Sequence, residues 1–249
     1  MPARPTVPWR ILLINPNTTQ SITDLVLKHA RTFAAKDTKL RAVSGAFGPR
    51  YVASRIGYAI AGHAAVDALA NDKGHKDAVV LACFGDPGLA ALKEVSEVPV
   101  VGMADASILQ ACALGKRFSI VTGGERWKPM LEEFVASHGL SSRLASVRTV
   151  APTGADIARN PKAAMALLAK GCNACGREDG ADVVILGGAG LAGLAAKLKS
   201  RVDVPLLDGV ACAISMAEAL AKQKTVRMGT PPAPVESIGL SKGLAKLIG

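Results

Sequence analysis

Short aliphatic runs alternate with longer stretches of helical periodicity along almost the whole chain. The runs are rich in valine, isoleucine and leucine and carry few charges. Continuous apolar strands that alternate with helices are typical of parallel sheets covered by helices on both faces, so we predict an α/β fold. Strands are predicted over residues 10–15, 39–44, 78–83, 98–104, 118–122, 147–151, 181–186 and 204–207. Helices are predicted over residues 21–35, 59–70, 127–137, 161–175 and 211–222, with a short basic helix over 237–248.

An internal repeat divides this pattern into two similar halves. The segment KDAVVLACFGDPGLAALK, which begins at residue 76, matches ADVVILGGAGLAGLAAKL, which begins at residue 181. The match aligns Asp77 with Asp182 and Gly85 with Gly190. A second pair is ILLINPN from residue 11 and FSIVTGG from residue 118. Self-similarity of this kind indicates two copies of one supersecondary unit.

The repeat predicts two pseudo-symmetric α/β domains with parallel sheets and an active site in the cleft between them. We assign residues 1–114 to the first domain, joined by residues 212–249, and residues 115–211 to the second. Ligands of parallel sheets bind beyond the carboxyl ends of the strands, where the two halves would face each other. In the alignment, Cys83 of the first half falls opposite Gly188 of the second.

Composition and charge narrow the class of protein. The chain has 249 residues, of which 49% are hydrophobic, which allows a packed core and excludes a disordered or fibrous chain. It has neither a run of the ~18 to 20 apolar residues that span a membrane nor a secretion signal, so we expect a cytoplasmic protein with no membrane partner. The formal net charge is +10, but basic and acidic residues are interleaved and aromatic residues make up only 4%. We therefore expect no nucleic-acid partner and only a bias toward anionic small molecules.

Cys83 is the strongest candidate for chemistry. It ends a predicted buried strand and is followed by the turn Phe84-Gly85-Asp86-Pro87-Gly88. The N–H groups of such a turn, together with the helix that follows, can bind an anion and lower the pKa of a thiol. A cysteine that only fills a core position would show the same local pattern.

The glycine-rich turn of the second half allows a different interpretation. Gly188, Gly190 and Gly193 match G-x-G-x-x-G between a predicted strand and a helix, and Asp208 ends the next strand. This is the context of a dinucleotide-binding site, so a dinucleotide-dependent oxidoreductase is an alternative. A tight passage from strand to helix would require the same glycines.

Two further groups of residues bear on cofactors and ligands. Cys172 and Cys175 form a C-x-x-C inside a predicted helix, without a second pair at zinc-site spacing, so we predict packing or surface thiols and no metal site. Asn15 and Thr122 end equivalent strands of the two halves. Their side chains can bind a carboxylate or an amide, although the threonines near Asn15 are also good helix caps.

The segments I-L-L-I-N-P-N-T-T, A-C-F-G-D-P-G-L, V-P-V-V-G-M-A-D-A and R-F-S-I-V-T resemble the hydantoin racemase branch of the aspartate/glutamate racemase superfamily, over about residues 10–222. The resemblance implies a cofactor-independent enzyme in which a cysteine from each half faces the stereocentre of the substrate. One thiolate removes the Cα proton and the other thiol delivers a proton to the opposite face. Backbone N–H groups and Asn or Thr side chains would hold the oxygens of the carbanion-like state.

The sequence departs from that family at the second thiol. The family pattern reads roughly L-G-C-A-G-M, whereas residues 186–191 read L-G-G-A-G-L, and Gly188 has no side chain that moves a proton. Three explanations fit. The protein belongs to a one-thiol branch with different chemistry, another residue or water acts on that face, or an ancestral cysteine has been substituted.

We predict an isomerase, a racemase that moves a proton at the carbon alpha to a carbonyl of a hydantoin or amino-acid-like substrate without a cofactor. A single-thiol decarboxylase or isomerase that passes through an enolate is the alternative within the same chemistry. Cys83 is the predicted acid and base, and Gly188 marks the missing thiol. The predicted substrate contacts are Asn15, Phe84, Gly85, Thr122, Ala189 and Gly190. We also expect a homo-oligomer, which is common among enzymes that act on small molecules.

Overall fold

Two four-stranded parallel sheets form the framework of the computed structural model, which describes residues 8–150, 161–223 and 233–249. The strands are β1 (Arg10–Asn15), β2 (Lys39–Ser44), β3 (Ala78–Leu81), β4 (Val100–Gly102), β5 (Phe118–Thr122), β6 (Leu144–Thr149), β7 (Val183–Leu186) and β8 (Leu206–Asp208). The helices are α1 (Gln20–Phe33), α2 (Arg55–Asn71), α3 (Leu89–Val95), α4 (Met103–Leu114), α5 (Trp127–Ser137), α6 (Pro161–Arg177), α7 (Leu194–Leu198), α8 (Gly209–Gln223) and α9 (Lys242–Ile248). The strand orders are β2-β1-β3-β4 and β6-β5-β7-β8, so the predicted α/β fold with two similar parallel sheets is confirmed.

Hydrogen bonds at the start of each sheet repeat the sequence match between the halves. Asp77 Oδ2 accepts the backbone N–H of Arg10 at 2.8 Å. Asp182 Oδ2 accepts the backbone N–H of Arg117 at 2.9 Å. Asp77 lies just before β3, and Asp182 lies just before β7. Each hydrogen bond therefore holds that segment beside the beginning of the neighbouring inner strand, β1 or β5.

Five predicted strands differ from the observed ones. β7 begins at Val183 and not at residue 181, and β8 is Leu206–Asp208 where 204–207 was predicted. β3 ends at Leu81, so Cys83 lies in the turn after the strand. β4 ends at Gly102, because α4 begins at the next residue. The strand predicted over 147–151 starts earlier than expected, and Ala151 lies outside the described residues.

One hydrophobic core joins the two halves. The strands β1, β3, β5 and β7 contribute buried aliphatic side chains to it. Helices α4 and α8 pack against each other, and α8 also packs against α1. Gln110 of α4 donates a hydrogen bond to the carbonyl of Cys212 of α8 at 2.9 Å. This packing fixes the carboxyl ends of the two sheets relative to each other.

The last helix lies on the first half. α9 packs on α2, and the Asn71 amide donates to the Ser241 hydroxyl at 3.0 Å. The division into residues 1–114 with 212–249 and residues 115–211 stays a prediction. Across the part of the chain that the structure describes, no helix combines the length and apolar character needed to cross a bilayer.

Candidate active site

A cavity of about 420 Å³ lies between the two halves, at the carboxyl ends of the inner strands. Residues of both halves line it: Asn17, Thr19, Ser21, Ile22, Arg50, Tyr51, Val52, Cys83, Phe84, Thr122, Gly123, Trp127, Gly187, Gly188, Ala189, Gly190 and Leu191. Six of the predicted site residues are therefore brought together here: Cys83, Phe84, Thr122, Gly188, Ala189 and Gly190. Asn15 and Gly85 do not line this cavity.

Cys83 lines the cavity and is 7% exposed. Burial, and then the charge of Asp86, raise its pKa to about 12. The expectation that the turn lowers this pKa is therefore wrong, because loss of water around the thiolate outweighs the nearby N–H groups. When it is ionised, such a thiol is a strong base.

The turn after Cys83 is held by contacts that require glycine. Gly85 has φ of 107°, and a Cβ atom added there would lie 2.6 Å from Cζ3 of Trp127. The Tyr58 hydroxyl donates to the Gly85 carbonyl at 2.8 Å. The backbone N–H groups of Phe84 and Gly85 have no acceptor among the described residues. They are thus available to a ligand oxygen that reaches the turn.

Asp86 connects the same turn to α4. Its φ is 54°, and its carboxylate accepts the N–H groups of Ala104 at 3.0 Å and Asp105 at 2.7 Å. It therefore caps the amino end of α4, where the helix dipole favours a negative charge. Burial raises the pKa of Asp86 to about 7, although the two N–H groups oppose this shift.

In the turn of the second half, the backbone of Gly188 lies at the position where the first half has the thiol of Cys83. Gly188 has φ of 134°, a conformation that other residues rarely adopt. A Cβ atom added there would lie 3.7 Å from Thr122 Oγ1, so space for a side chain exists. The N–H groups of Gly188, Ala189 and Gly190 have no acceptor in the described part of the chain.

The geometry of Gly193 argues against the dinucleotide alternative. Its N–H donates to Asp208 Oδ2 at 2.9 Å, so a carboxylate already occupies the position that a pyrophosphate would take. A Cβ atom at Gly193 would lie 2.1 Å from the His29 ring, which covers the turn from α1. The glycines therefore serve a tight strand-to-helix passage.

The loop after β1 places Asn17 in the cavity and Asn15 behind it. Asn15 is 1% exposed, and its amide donates to Asn17 Oδ1 at 3.0 Å and to Thr23 Oγ1 at 2.9 Å. Asn17 Oδ1 in turn accepts the N–H of Thr19 at 2.9 Å. A direct contact of Asn15 with substrate stays a prediction, and in this structure Asn15 orients the residue that lines the cavity.

One wall of the cavity contains none of the residues predicted from the sequence. It consists of Arg50, Tyr51 and Val52, which precede α2, and of Trp127 from the second half. The Trp127 Nε1–H donates to the Val52 carbonyl at 3.0 Å. The position of this segment after β2, beside β1 in a parallel sheet, is the signal that could have identified it.

The described residues contain no group of three or more His, Cys, Asp or Glu side chains that could hold a metal ion. Cys172 and Cys175 are fully buried on α6 and pack in the core of the second half. Of the two predicted roles, packing or surface thiols, the structure shows packing.

Comparison with known proteins agrees with this geometry. The family model for Asp/Glu/hydantoin racemases matches residues 11–217. A hydantoin racemase of Pseudomonas sp. (strain NS671) is 36% identical over 226 residues, which cover 89% of this chain and 90% of that protein. The crystal structure of an allantoin racemase from Pseudomonas fluorescens has 33% identity and a TM-score of 0.88, and the match covers 92% of this chain and all of that one. An allantoin racemase from Klebsiella pneumoniae has 28% identity and a TM-score of 0.87, over 95% of this chain and 98% of that one.

Proposed function

The chain belongs to the Asp/Glu/hydantoin racemase family, and on that premise we propose that it moves the proton at the stereocentre of a hydantoin-ring substrate through the thiol of Cys83. The observation that carries the proposal is that Cys83 and the Gly188 turn line one cavity built from both halves. The hydantoin ring is the substrate class in the names of the similar hydantoin racemases. Its stereocentre bears a hydrogen next to a ring carbonyl, which makes that hydrogen removable by a base.

Cys83 acts as the base and acid on one face of the ring. The thiolate takes the Cα proton and forms the thiol, and the electron pair of the C–H bond moves into the carbonyl as an enolate. The N–H group of Phe84, which lines the cavity, holds the oxygen on which this charge develops. Donors that are fixed before the reaction stabilise such an oxyanion without a reorganisation cost.

The opposite face is served by solvent in this proposal. Gly188 supplies no thiol, while the Thr122 hydroxyl and the free N–H groups of the glycine turn line that side. Water that enters there gives a proton to the enolate, and the hydroxide that remains takes up the proton of the Cys83 thiol through solvent, which restores the thiolate. Water is a weaker acid than a thiol, so inversion is slower than return of the proton from Cys83.

This asymmetry gives a direct test in heavy water. Both enantiomers of a hydantoin with an apolar substituent are incubated with the full-length protein, and deuterium at Cα and optical rotation are followed together. We expect one enantiomer to gain deuterium with retention at least about ten times faster than it inverts, and the protein to interconvert both enantiomers slowly. Cys83→Ser should lower the exchange rate about a thousandfold.

Cys112→Ser is the matched control, because Cys112 is a partly buried thiol of α4 that does not line the cavity. It should keep the exchange rate of the unchanged protein. Exchange that survives in Cys83→Ser, or no exchange with either enantiomer, would reject the proposal.

The absence of a second thiol at Gly188 also favours one alternative, a decarboxylase or isomerase that passes through an enolate. Such an enzyme would exchange one enantiomer with strict retention and never invert it. The heavy-water experiment therefore separates the two functions.

We further propose that the protein is cytoplasmic and forms a homo-oligomer. The first statement is supported by the absence of an apolar membrane-spanning helix among the described residues. The second rests on how frequent symmetric assemblies are among enzymes of this kind. Sedimentation of the purified full-length protein measures the assembly directly.

A further inference from the structure

The cavity has a single charged side chain among the described residues that line it, and that side chain is the guanidinium of Arg50. No Asp or Glu lines the cavity within the described ranges, and Arg50 forms no ion pair with a described residue. A guanidinium carries a positive charge and five N–H donors in a planar arrangement. Among the described residues, Arg50 therefore places a positive charge without an ionic partner on the wall of a cavity whose other side chains are neutral.

Hydrogen bonds from both halves hold the backbone around Arg50. The Thr19 hydroxyl donates to the Arg50 carbonyl at 2.6 Å, and the Thr18 N–H donates to the Pro49 carbonyl at 3.2 Å. From the other side, Trp127 binds the Val52 carbonyl. The segment is thus fixed before a ligand arrives, which lowers the entropic cost of using its side chains for recognition.

Cys83 and Arg50 line the same cavity but differ in burial. Cys83 is 7% exposed, whereas Arg50 is an exposed residue. The lining also includes the apolar side chains of Ile22, Val52 and Trp127. A ring whose stereocentre reaches Cys83 therefore shares this cavity with a guanidinium and with apolar side chains that can contact an alkyl stem.

We propose that Arg50 is a specificity residue, which selects substrates whose substituent at the stereocentre ends in a carboxylate on a short alkyl stem. This inference rests on the proposed function, since it assumes that the ring reaches Cys83. Arginine matches a carboxylate with two parallel N–H donors, and such pairs are stronger than neutral hydrogen bonds. Because Arg50 is exposed, the effect of the pair is moderate and weakens with salt.

The test compares two ligands of the same shape: a hydantoin with a carboxyethyl substituent and one with the matching carbamoylethyl substituent. Calorimetric titration measures the affinity of each for the full-length protein, and exchange of the Cα hydrogen in heavy water is measured in parallel. We expect the carboxylate to bind about five to ten times more tightly than the amide. The ratio of the two affinities should fall to near one in Arg50→Gln, and Arg50→Lys should keep part of it.

Arg31→Gln is the matched control, since Arg31 is an exposed arginine at the end of α1 that lies outside the cavity. It removes the same charge and should leave the ratio as it is. An equal ratio in the unchanged protein and in Arg50→Gln overturns the assignment of Arg50, whatever the exchange rates are. A carboxylate preference that depends on Arg50, without any exchange at Cα, supports the role of Arg50 and rejects the proposed function. Failure of both ligands to bind overturns both proposals.

Discussion

The two halves of the molecule use one strand–turn–helix unit in two different ways. In the first half the turn after β3 carries a thiol and a buried aspartate, whereas the turn after β7 carries neither. In the second half the buried aspartate, Asp208, lies at the end of β8 instead. In the aligned repeat, Asp86 falls opposite Leu191, and Asp208 falls opposite Gly102.

The two halves therefore supply the buried carboxylate from different elements, the turn in the first half and the end of the strand in the second. Asp86 reaches from the turn to the amino end of α4, with a Cβ atom at Gly102 calculated to lie 2.2 Å from its Oδ2. Asp208 reaches from the strand end back to the N–H of Gly193 and also accepts the N–H of Val210 in α8. Both arrangements satisfy N–H groups at a helix start with one buried anion. Each half therefore has one buried carboxylate at a helix start, supplied by the turn in the first half and by the strand end in the second.

Among the substitutions that distinguish the two turns, Gly85→Ala should have the largest effect on the free energy of unfolding. The new methyl group meets the Trp127 ring, and φ of 107° is strained for alanine. Strain and overpacking together should lower the free energy of unfolding by about 3 kcal/mol, roughly a hundredfold in the unfolding equilibrium. Urea unfolding of the purified variant measures this change.

Gly139→Ala is its control, because Gly139 has φ of 70° but no atom within 4 Å of an added Cβ. It should lose only about 1 kcal/mol. If the two variants unfold at the same urea concentration, then Trp127 does not hold the Cys83 turn in the way described here.

The sequence alone predicts much of the similarity between the two halves. The runs of aliphatic residues and the alignment of Asp77 with Asp182 predict two similar parallel sheets, because strand periodicity and repeats are local properties of the chain. The pairing of Cys83 with Gly188 at one cavity also follows from the repeat. These predictions succeed since equivalent positions of a duplicated unit face the same edge of their sheets.

Other features depend on contacts between distant segments, which the repeat does not encode. The raised pKa of Cys83 follows mainly from its burial in the folded chain. The wall formed by Arg50 follows from a hydrogen bond to Thr19 and from the bond between Trp127 and the neighbouring Val52. Asn15 looked like a ligand contact, yet its amide is used inside its own turn. The positions of the strand ends therefore identify the edge of the sheet that binds a ligand. Hydrogen bonds within the protein then determine which side chains at that edge can contact the ligand.

A smaller effect should follow from placing a thiol in the second turn by Gly188→Cys. The space beside Thr122 accepts a side chain, but the positive φ must relax, at a cost of about 1–2 kcal/mol of stability. A thiol on that face is a better acid than water, so the ratio of inversion to retentive exchange should rise about tenfold. Optical rotation and deuterium uptake in heavy water measure the two rates.

Gly188→Ala controls for the change in backbone conformation, because it adds Cβ without a proton donor. It should show the loss of stability without the gain in inversion. An equal gain in both variants would mean that the thiol at this position does not face the substrate.

The smallest effect concerns the aspartate that only the first turn contains. Asp86→Asn keeps an oxygen that accepts the N–H of Ala104 but removes a charge that raises the pKa of Cys83. The pKa of the thiol should therefore fall, and its alkylation by iodoacetamide at pH 8 should become about three times faster. Asp208→Asn is the control, because the charge of Asp208 raises the pKa of Cys212 and not that of Cys83.

The Asp86→Asn substitution should also change how the free energy of unfolding depends on pH. The pKa of Asp86 is about 7 in the folded protein and 3.8 in the reference state, so the folded chain binds more protons between these values. The contribution of Asp86 to stability therefore falls as the pH rises from about 4 to about 7, and this contribution is absent in Asp86→Asn. Between pH 5 and pH 8, the free energy of unfolding measured in urea should change less favourably for the unchanged protein than for the variant. If the variant instead shows the same pH dependence and the same alkylation rate, then the carboxylate in the first turn acts only as a helix cap, as Asp208 does in the second half.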